Sequence, residues 1–324
     1  MTERASEPQN LSFTDLHPSM GDSRTEILAG LSAENKTVNP KWFYDERGSE
    51  LFDAITRLPE YYPTRTEKQI LSDNATAIGQ RCTEDCILLE PGSGSSEKVR
   101  LLLEAVKPAA YVPLDISADF LRSAATELAT EYPWLSIDAI CADFSNDWSF
   151  AEKLPAGKRI VFYPGSTIGN LEPDAASAFL SQLREVVGDG GGAIIGVDLH
   201  KSTDVLNAAY NDSAGVTAAF NLNLLHRLNT IMDAAFDPSQ FRHEAFYNEQ
   251  ARRVEMHLVS TVKQSVRVNG THVDFEQGET LHTENSYKYT IDDFADLAAG
   301  AGLMPEQTWT DEDQLFSVHY LATT

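Results

Sequence analysis

The chain opens on a polar stretch, "MTERASEPQNLSFTDLHPSMGD", without sustained apolar periodicity, and residues 1–22 are expected to be loose. Apolar positions first recur at helical spacing in "DSRTEILAGLS". An aromatic-rich segment follows, "KWFYDERGSELFDAITRLPEYYPTRTE" (41–67). From about residue 65 the pattern changes, and apolar runs of strand length alternate with helix-length segments. "CILLE" (86–90), "AYVPLD" (110–115), "LSIDAICAD" (135–143), "RIVFYPG" (159–165) and "GGAIIGVDL" (191–199) read as strands. "SSEKVRLLLEAVK", "SADFLRSAATELATEY" and "EPDAASAFLSQLREVV" read as helices between them. Ser117 is the expected N-cap of the second, and the third starts beside Pro173. Such alternation, with continuous apolar strands, predicts a parallel sheet covered on both faces, an α/β fold.

After residue 199 the rhythm breaks. "NAAYNDSAGVTAAFNLNLLHRLNTIM" has helical character. The segment from His243 to Thr280 carries strand alternation, with a hairpin signal at Asn269-Gly270. "TIDDFADLAAGAGL" reads as an amphipathic helix capped near Thr290 or Asp292, and "PEQTWTDEDQLFSVHYLA" supplies the last strands. The expected organisation is therefore a doubly wound domain over 65–199 and 287–324, with a second α+β unit assembled from 23–64 and 200–286. Ligands of such folds bind at the carboxyl ends of the strands.

Charge narrows the partners. Lys and Arg number 25 against 49 Asp and Glu, a net charge of −24. An acidic surface repels phosphate backbones and anionic lipid, which argues against nucleic acid and membranes as partners. Three cysteines are an odd, low count, consistent with a reducing compartment. Cys82 and Cys86 lack clustered histidines, so no metal is expected. With no apolar leader and no membrane-length run, a cytoplasmic monomer is expected.

The chemistry begins at "LLEPGSGSSEK" (88–98), where a strand ends in Glu90 and turns through Gly92 and Gly94 into a helix. A phosphate-binding P-loop needs Gly-Lys-Ser/Thr at its end, and Glu97 precedes Lys98 here. A dinucleotide loop needs a small residue where Glu97 stands, and a carboxylate at a helix start repels pyrophosphate. S-adenosylmethionine (SAM), which has no phosphate, remains. Asp115, twenty-three residues past Gly92, ends the second strand, where an acid can accept bonds from ribose hydroxyls. Asp143 ends the third, where with Phe144 it can bond and cover an adenine.

The chain resembles the histidine N-alpha-methyltransferases of ergothioneine biosynthesis. The resemblance covers nearly everything after residue 25 and rests on the 41–67 segment, "GSGSSEK", "GSTIGNL", "AYNDSAGVTAAFN", "RVEMHL" and "TENSYKY". It implies a class I, Rossmann-like SAM-dependent methyltransferase domain and a substrate domain formed by the N-terminal region and an insertion. It implies three successive methyl transfers to the α-amine of L-histidine, giving the betaine hercynine. By the same resemblance Gly92, Lys98, Asp115, Asp143 and Phe144 contact the cofactor. Tyr61, Asn170, Tyr210, Glu284 and Ser286 hold histidine, with Tyr61 and Asn170 nearest the chemistry, while Tyr44, Phe52, Gly165 and Met256 line the pocket. These residue types suit such a ligand. Asn170 and Tyr210 can donate to a carboxylate, and Glu284 with Ser286 can read a ring N–H and a ring nitrogen. Asn285 and Tyr287 depart from the family pattern, an apolar and a small residue standing there. Rival readings are N-methylation of another aromatic amino acid such as tryptophan, a non-catalytic SAM or histidine sensor, and a nicotinamide-dependent oxidoreductase, which Glu97 disfavours.

Overall fold

The computed structural model describes residues 8–16, 20–144, 148, 150, 151 and 154–323. Its main sheet has eight strands, in the spatial order β1 (Leu11–Asp15), β4 (Ser136–Cys141), β3 (Ala110–Asp115), β2 (Ile87–Pro91), β5 (Arg159–Tyr163), β6 (Gly192–Asp198), β13 (Phe316–Ala322) and β12 (Met304–Thr310). The first six are parallel. β13 runs antiparallel to β6, and β12 to β13. The strand order reverses between β2 and β5, so the chain opens a crevice there at the carboxyl ends of the strands.

The pleat divides the apolar runs between two faces. Leu88 packs with α3 (Tyr62–Cys82), α4 (Glu97–Val106) and α5 (Ala118–Glu131), whereas Leu89, the next residue, packs with α6 (Pro173–Val187) and α9 (Ile291–Gly300). That is why these strands are apolar at consecutive positions. Pro173 stands at the first turn of α6, and Thr290 caps α9 in a reciprocal box with Asp293. Ser117 takes the cap position of α5, but its side chain makes no capping bond; the Asp115 carboxylate instead accepts the Ser117 N–H at 2.9 Å.

Residues 11–15, expected to be loose, form the edge strand β1 beside β4. The cause is tertiary. Leu11 and Phe13 pack on the α5 side, the Arg122 guanidinium lies 3.8 Å from the Phe13 ring centre, and the Asn10 amide donates to Ala129 and Leu135 carbonyls. A five-residue strand at a sheet edge is too short for periodicity to announce it.

A separate apolar cluster gathers two distant stretches of chain, Ile27–Tyr62 and Leu206–Leu281. It contains α1 (Met20–Leu31), α2 (Glu46–Ile55), α7 (Thr203–Tyr210) and α8 (Val216–Ile231). Against them lies a three-stranded antiparallel sheet, in the order β11 (Thr280–Tyr287), β8 (Arg253–Ser260) and β7 (Phe241–Asn248). The hairpin of β9 (Gln264–Val268) and β10 (Thr271–Phe275) turns at Asn269 and Gly270, both with positive φ as a two-residue turn of this hand requires. The two parts join near the carboxyl end of β6, where Leu199 bridges Tyr289 just past β11. Among the described residues no helix is long and apolar enough to cross a membrane.

Candidate functional site

The glycine loop leaves β2 at the crevice. Gly92 and Gly94 have φ of +70° and +52°, left-handed conformations that favour glycine. The amides of Gly92 and Ser93 both donate to Leu114 O, at 2.8 and 3.0 Å, and Gly94 N–H donates to Asp115 at 3.0 Å. Three loop amides are thus turned onto β3 instead of outward, leaving them unavailable to a phosphate cradle. The loop therefore fits a phosphate-free cofactor such as SAM. The Phe144 ring stands over Gly92, 3.5 Å from where a Cβ would sit.

The acids at the strand ends have separate settings. Asp115 spans the loop and the start of α5, and its recessed position raises its pKa although three backbone amides pull the other way. Glu90 is buried beneath the loop and accepts a hydrogen bond from the Tyr111 hydroxyl. Burial pushes its carboxyl up to about 8. Asp143 pairs with Lys41 at 3.0 Å, and Lys41 also reaches Glu26 at 2.8 Å. Lys41 lies in the short turn Pro40–Phe43, so this pair ties the first stretch of the second core to the end of β4.

Lys98 points back from α4 to Glu67 of α3, at 2.5 Å. The same Glu67 carboxylate, almost wholly buried, accepts the Gly165 N–H through both oxygens at 2.8 and 2.9 Å. Gly165 itself has φ of +83°, and a Cβ there would meet the Lys98 ammonium at 3.2 Å. Glu67 thus fixes the backbone at the exit of β5 and the cation of the loop together. Sequence reasoning did not single it out, although a carboxylate one turn before Ile70 and Leu71 on a buried helix face was a signal.

Opposite the loop stands an aromatic wall. Tyr44, Phe52, Tyr61 and Tyr210 follow one another edge to face, with centroids 5.7, 6.4 and 6.2 Å apart. Glu284 and Ser286 alternate along β11 and share its inner face; Glu284 pairs in register with Met256, which is buried. The Tyr210 hydroxyl donates to Ser286 Oγ at 2.8 Å. The Glu284 side chain has no hydrogen-bond partner among the described residues, and desolvation pushes it up to about 7 while Lys288 draws it down. Tyr44, Tyr61 and Tyr210 all surround this carboxylate closely enough to feel its charge. Burial, with the carboxylate adding to it, holds their hydroxyls well above the usual tyrosine range.

Asn170 ends the turn Thr167–Asn170 after β5, and its side chain makes no hydrogen bond to other described residues. The turn packs directly on β11, where a Cβ on Gly169 would strike Tyr287 O at 2.8 Å. Two residues on, Glu172 is held by Arg253 at 2.9 Å, by Asn285 at 2.9 Å and by the Tyr287 hydroxyl. Asn285 and Tyr287 therefore form a fastening between the Asn170 turn and β11.

Among the residues singled out from the sequence, Gly92 meets Phe144, Gly94 bonds Asp115 and Lys98 lies beside Gly165. Tyr44, Phe52, Tyr61 and Tyr210 are in ring contact, Tyr210 bonds Ser286, and Glu284 pairs with Met256. Besides Glu67 and Lys41, sequence reasoning missed a buried polar cluster at the end of β6. Asp198 there accepts from the Tyr62 hydroxyl, Lys201 and Lys288. On the outer face of β8 and β11, Glu255, His257 and His282 come together closely enough to suggest a metal. Glu255 is already engaged by Arg253 at 2.8 Å and Asn248 at 3.0 Å, and the two imidazoles stack nearly parallel, so the group stands as a hydrogen-bonded cluster.

With this geometry in place, comparison with known proteins decides the family. Residues 23–323 match the family described as "Histidine-specific methyltransferase, SAM-dependent". The chain belongs to this family. Among similar proteins, this histidine-specific methyltransferase chain is 45% identical to a histidine N-alpha-methyltransferase of Mycolicibacterium smegmatis, over 89% of this chain and 91% of the relative. It is 42% identical to the protein of the same name from Mycobacterium tuberculosis, over the same shares. Among solved structures, a SAM-dependent methyltransferase from Clostridium acetobutylicum superimposes with a TM-score of 0.46 at 12% identity, covering 79% of this chain and 91% of that one. SAM is accordingly the methyl donor of the family, and the loop whose amides face β3 suits it.

Proposed function

We propose that the protein transfers three methyl groups in succession from SAM to the α-amine of L-histidine, producing hercynine as the first step of ergothioneine biosynthesis. The observation that carries this reading is the Glu284 carboxylate, unpartnered on the inner face of β11 beside the Ser286 hydroxyl. It offers an acceptor and a hydroxyl two residues apart, matching the two ring nitrogens of imidazole. An indole has one N–H and no ring acceptor, so it would leave the hydroxyl group unpaired and bind less well.

The second core, built from 27–62 and 206–281, serves as the substrate side, and the main sheet as the cofactor side. When bound, the cofactor supplies a methyl group on a positively charged sulfur, held by Gly92, Gly94, Lys98, Asp115, Asp143 and Phe144 with Glu90 bracing the loop. Asn170 donates its amide to the substrate carboxylate and so aims the amine across the crevice. Tyr61 and Tyr210, whose hydroxyls are held protonated, donate hydrogen bonds and do not act as bases. The aromatic wall of Tyr44, Phe52 and Tyr61 keeps water from the nitrogen, which raises the effective concentration of the correctly aligned pair. Gly165, without a side chain, leaves room for the methyl groups already added. Each transfer requires the amine as its free base, so one proton leaves to solvent before each of the three attacks. S-adenosylhomocysteine departs with the electron pair of the broken S–C bond, and reaction ends when the quaternary nitrogen has no lone pair.

Mass spectrometry of a panel of free amino acids incubated with SAM tests the proposal. Histidine should gain one, two and three methyl masses, the third predominating at completion. Methylation of tryptophan in preference to histidine, or no mass gain on histidine, overturns it; SAM or histidine binding without turnover would indicate a sensor.

A further inference from the structure

Lys288, directly behind the substrate wall, is 3% exposed and plays no part in the scheme above. Its ammonium donates to Ser286 Oγ at 2.6 Å and pairs with Asp198 at 2.7 Å. It also lies 3.5 Å from the Tyr210 hydroxyl. An ammonium has hydrogens to give and no lone pair, so Ser286 can only accept from it. Ser286 and Tyr210 together carry two hydroxyl hydrogens, and one occupies the bond between them. Whichever oxygen owns it, the second hydrogen is directed away from Lys288 and from that bond, and it has no acceptor among the described residues. The pair is thereby a donor to any ligand, while Glu284 two residues earlier is an acceptor.

We propose that Lys288 is a positioning residue that fixes the hydrogen-bond direction of the Ser286–Tyr210 pair, so that the site selects a substrate ring with one N–H and one bare nitrogen, the neutral imidazole. This deepens the histidine reading and rests on it. A ring with N–H groups alone would set a hydrogen against a hydrogen. Asp198 anchors Lys288 and is in turn held by Lys201 at 2.6 Å and Tyr62 at 2.7 Å, so the direction is set from a rigid, buried cluster. The other titratable groups facing Lys288 are Tyr247 from β7 and Glu284 from β11.

The test compares histidine with β-(pyrrolyl)alanine, whose ring has an N–H and no bare nitrogen, in the unmodified enzyme and in Lys288→Met and Lys288→Arg. The unmodified enzyme should favour histidine in kcat/KM by at least about tenfold, the scale of one buried hydroxyl left unpaired. Lys288→Met lets the spare hydroxyl hydrogen turn toward the vacated Asp198 carboxylate, so the cost of leaving it unpaired against the pyrrole disappears. The preference should then collapse, through KM more than kcat, while S-adenosylhomocysteine binds as before. Lys288→Arg, another pure donor, should restore it. Equal use of the two amino acids by the unmodified enzyme overturns the inference even if Lys288→Met fails to fold, as does an undiminished preference in a folded Lys288→Met. Absence of histidine methylation altogether would instead sink the proposed function.

Discussion

Glu284 is a carboxylate held partly out of water, with the Lys288 ammonium drawing its pKa down. As a ligand-reading group it is preformed, since it needs to break no internal hydrogen bond when a ring N–H arrives. Glu284→Ala should lower histidine affinity tenfold or more, by roughly the 1.5–3 kcal/mol of a hydrogen bond to a charged group, and leave S-adenosylhomocysteine binding intact. Unchanged histidine binding in titration calorimetry would show that the ring is not read there. The same residue has a stability signature. Its folded pKa of about 7 lies above its unfolded value, so folding favours the neutral form. The contribution of that neutral form is complete below the unfolded carboxylate range and is lost as pH rises through about 7. Glu284→Gln, always neutral, should therefore gain stability over the parent between pH ~4.5 and ~7, approaching ~3 kcal/mol as an upper bound. Denaturant midpoints that shift equally at both ends of that range would contradict it. The side chains of this site were readable mainly through motif strings. Glu67, Lys41, Asp198 and Lys288 escaped because each acts through another residue, and nothing in a sequence says which buried charge faces which.

At the level of elements, the turn that carries Asn170 is positioned by the fastening on Glu172. Arg253 also bonds the Tyr287 hydroxyl at 2.6 Å and Glu255 at 2.8 Å, so a network joins the start of α6 to β8 and β11. Glu172→Ala should loosen that turn relative to Glu284 and Ser286. The expected result is a severalfold rise in KM for histidine with KM for SAM little changed, read from steady-state kinetics with each substrate varied in turn. A rise confined to SAM would place the turn on the cofactor side instead. Local pattern announced the strands and helices that alternate over 86–199, which carry their period in their own residues. It did not announce α3, the longest helix among the described residues, whose low amphipathic contrast and Tyr-Pro start read as a loop. It could not announce β1, whose pairing depends on an edge more than a hundred residues away, nor the antiparallel direction of β13, which connectivity alone does not specify.

On the scale of the whole molecule, β1 closes one edge of the sheet and shields the backbone groups of β4 from further pairing. Removing residues 1–16 should lower the melting temperature by several degrees and increase aggregation on heating while methylation persists, since the crevice lies at strands further in. Loss of activity in a folded truncation would mean that the strand reaches the site by another route. The α/β architecture was legible because the strand–helix alternation over 86–199 is long and regular.

The two-part make-up of the second core also sets an order of events during synthesis. Phe43 stacks on Phe220 and Tyr61 meets Tyr210 edge to face, so the early aromatic segment finds its partners only after residues 63–205 have been made. Until then a nascent chain emerging from the ribosome carries that segment with its apolar face unburied, while the first six strands of the main sheet are already available to pair. The N-terminal aromatic stretch must consequently wait for its partners, and its misassembly is the failure that slowed translation before residue 206 would make visible.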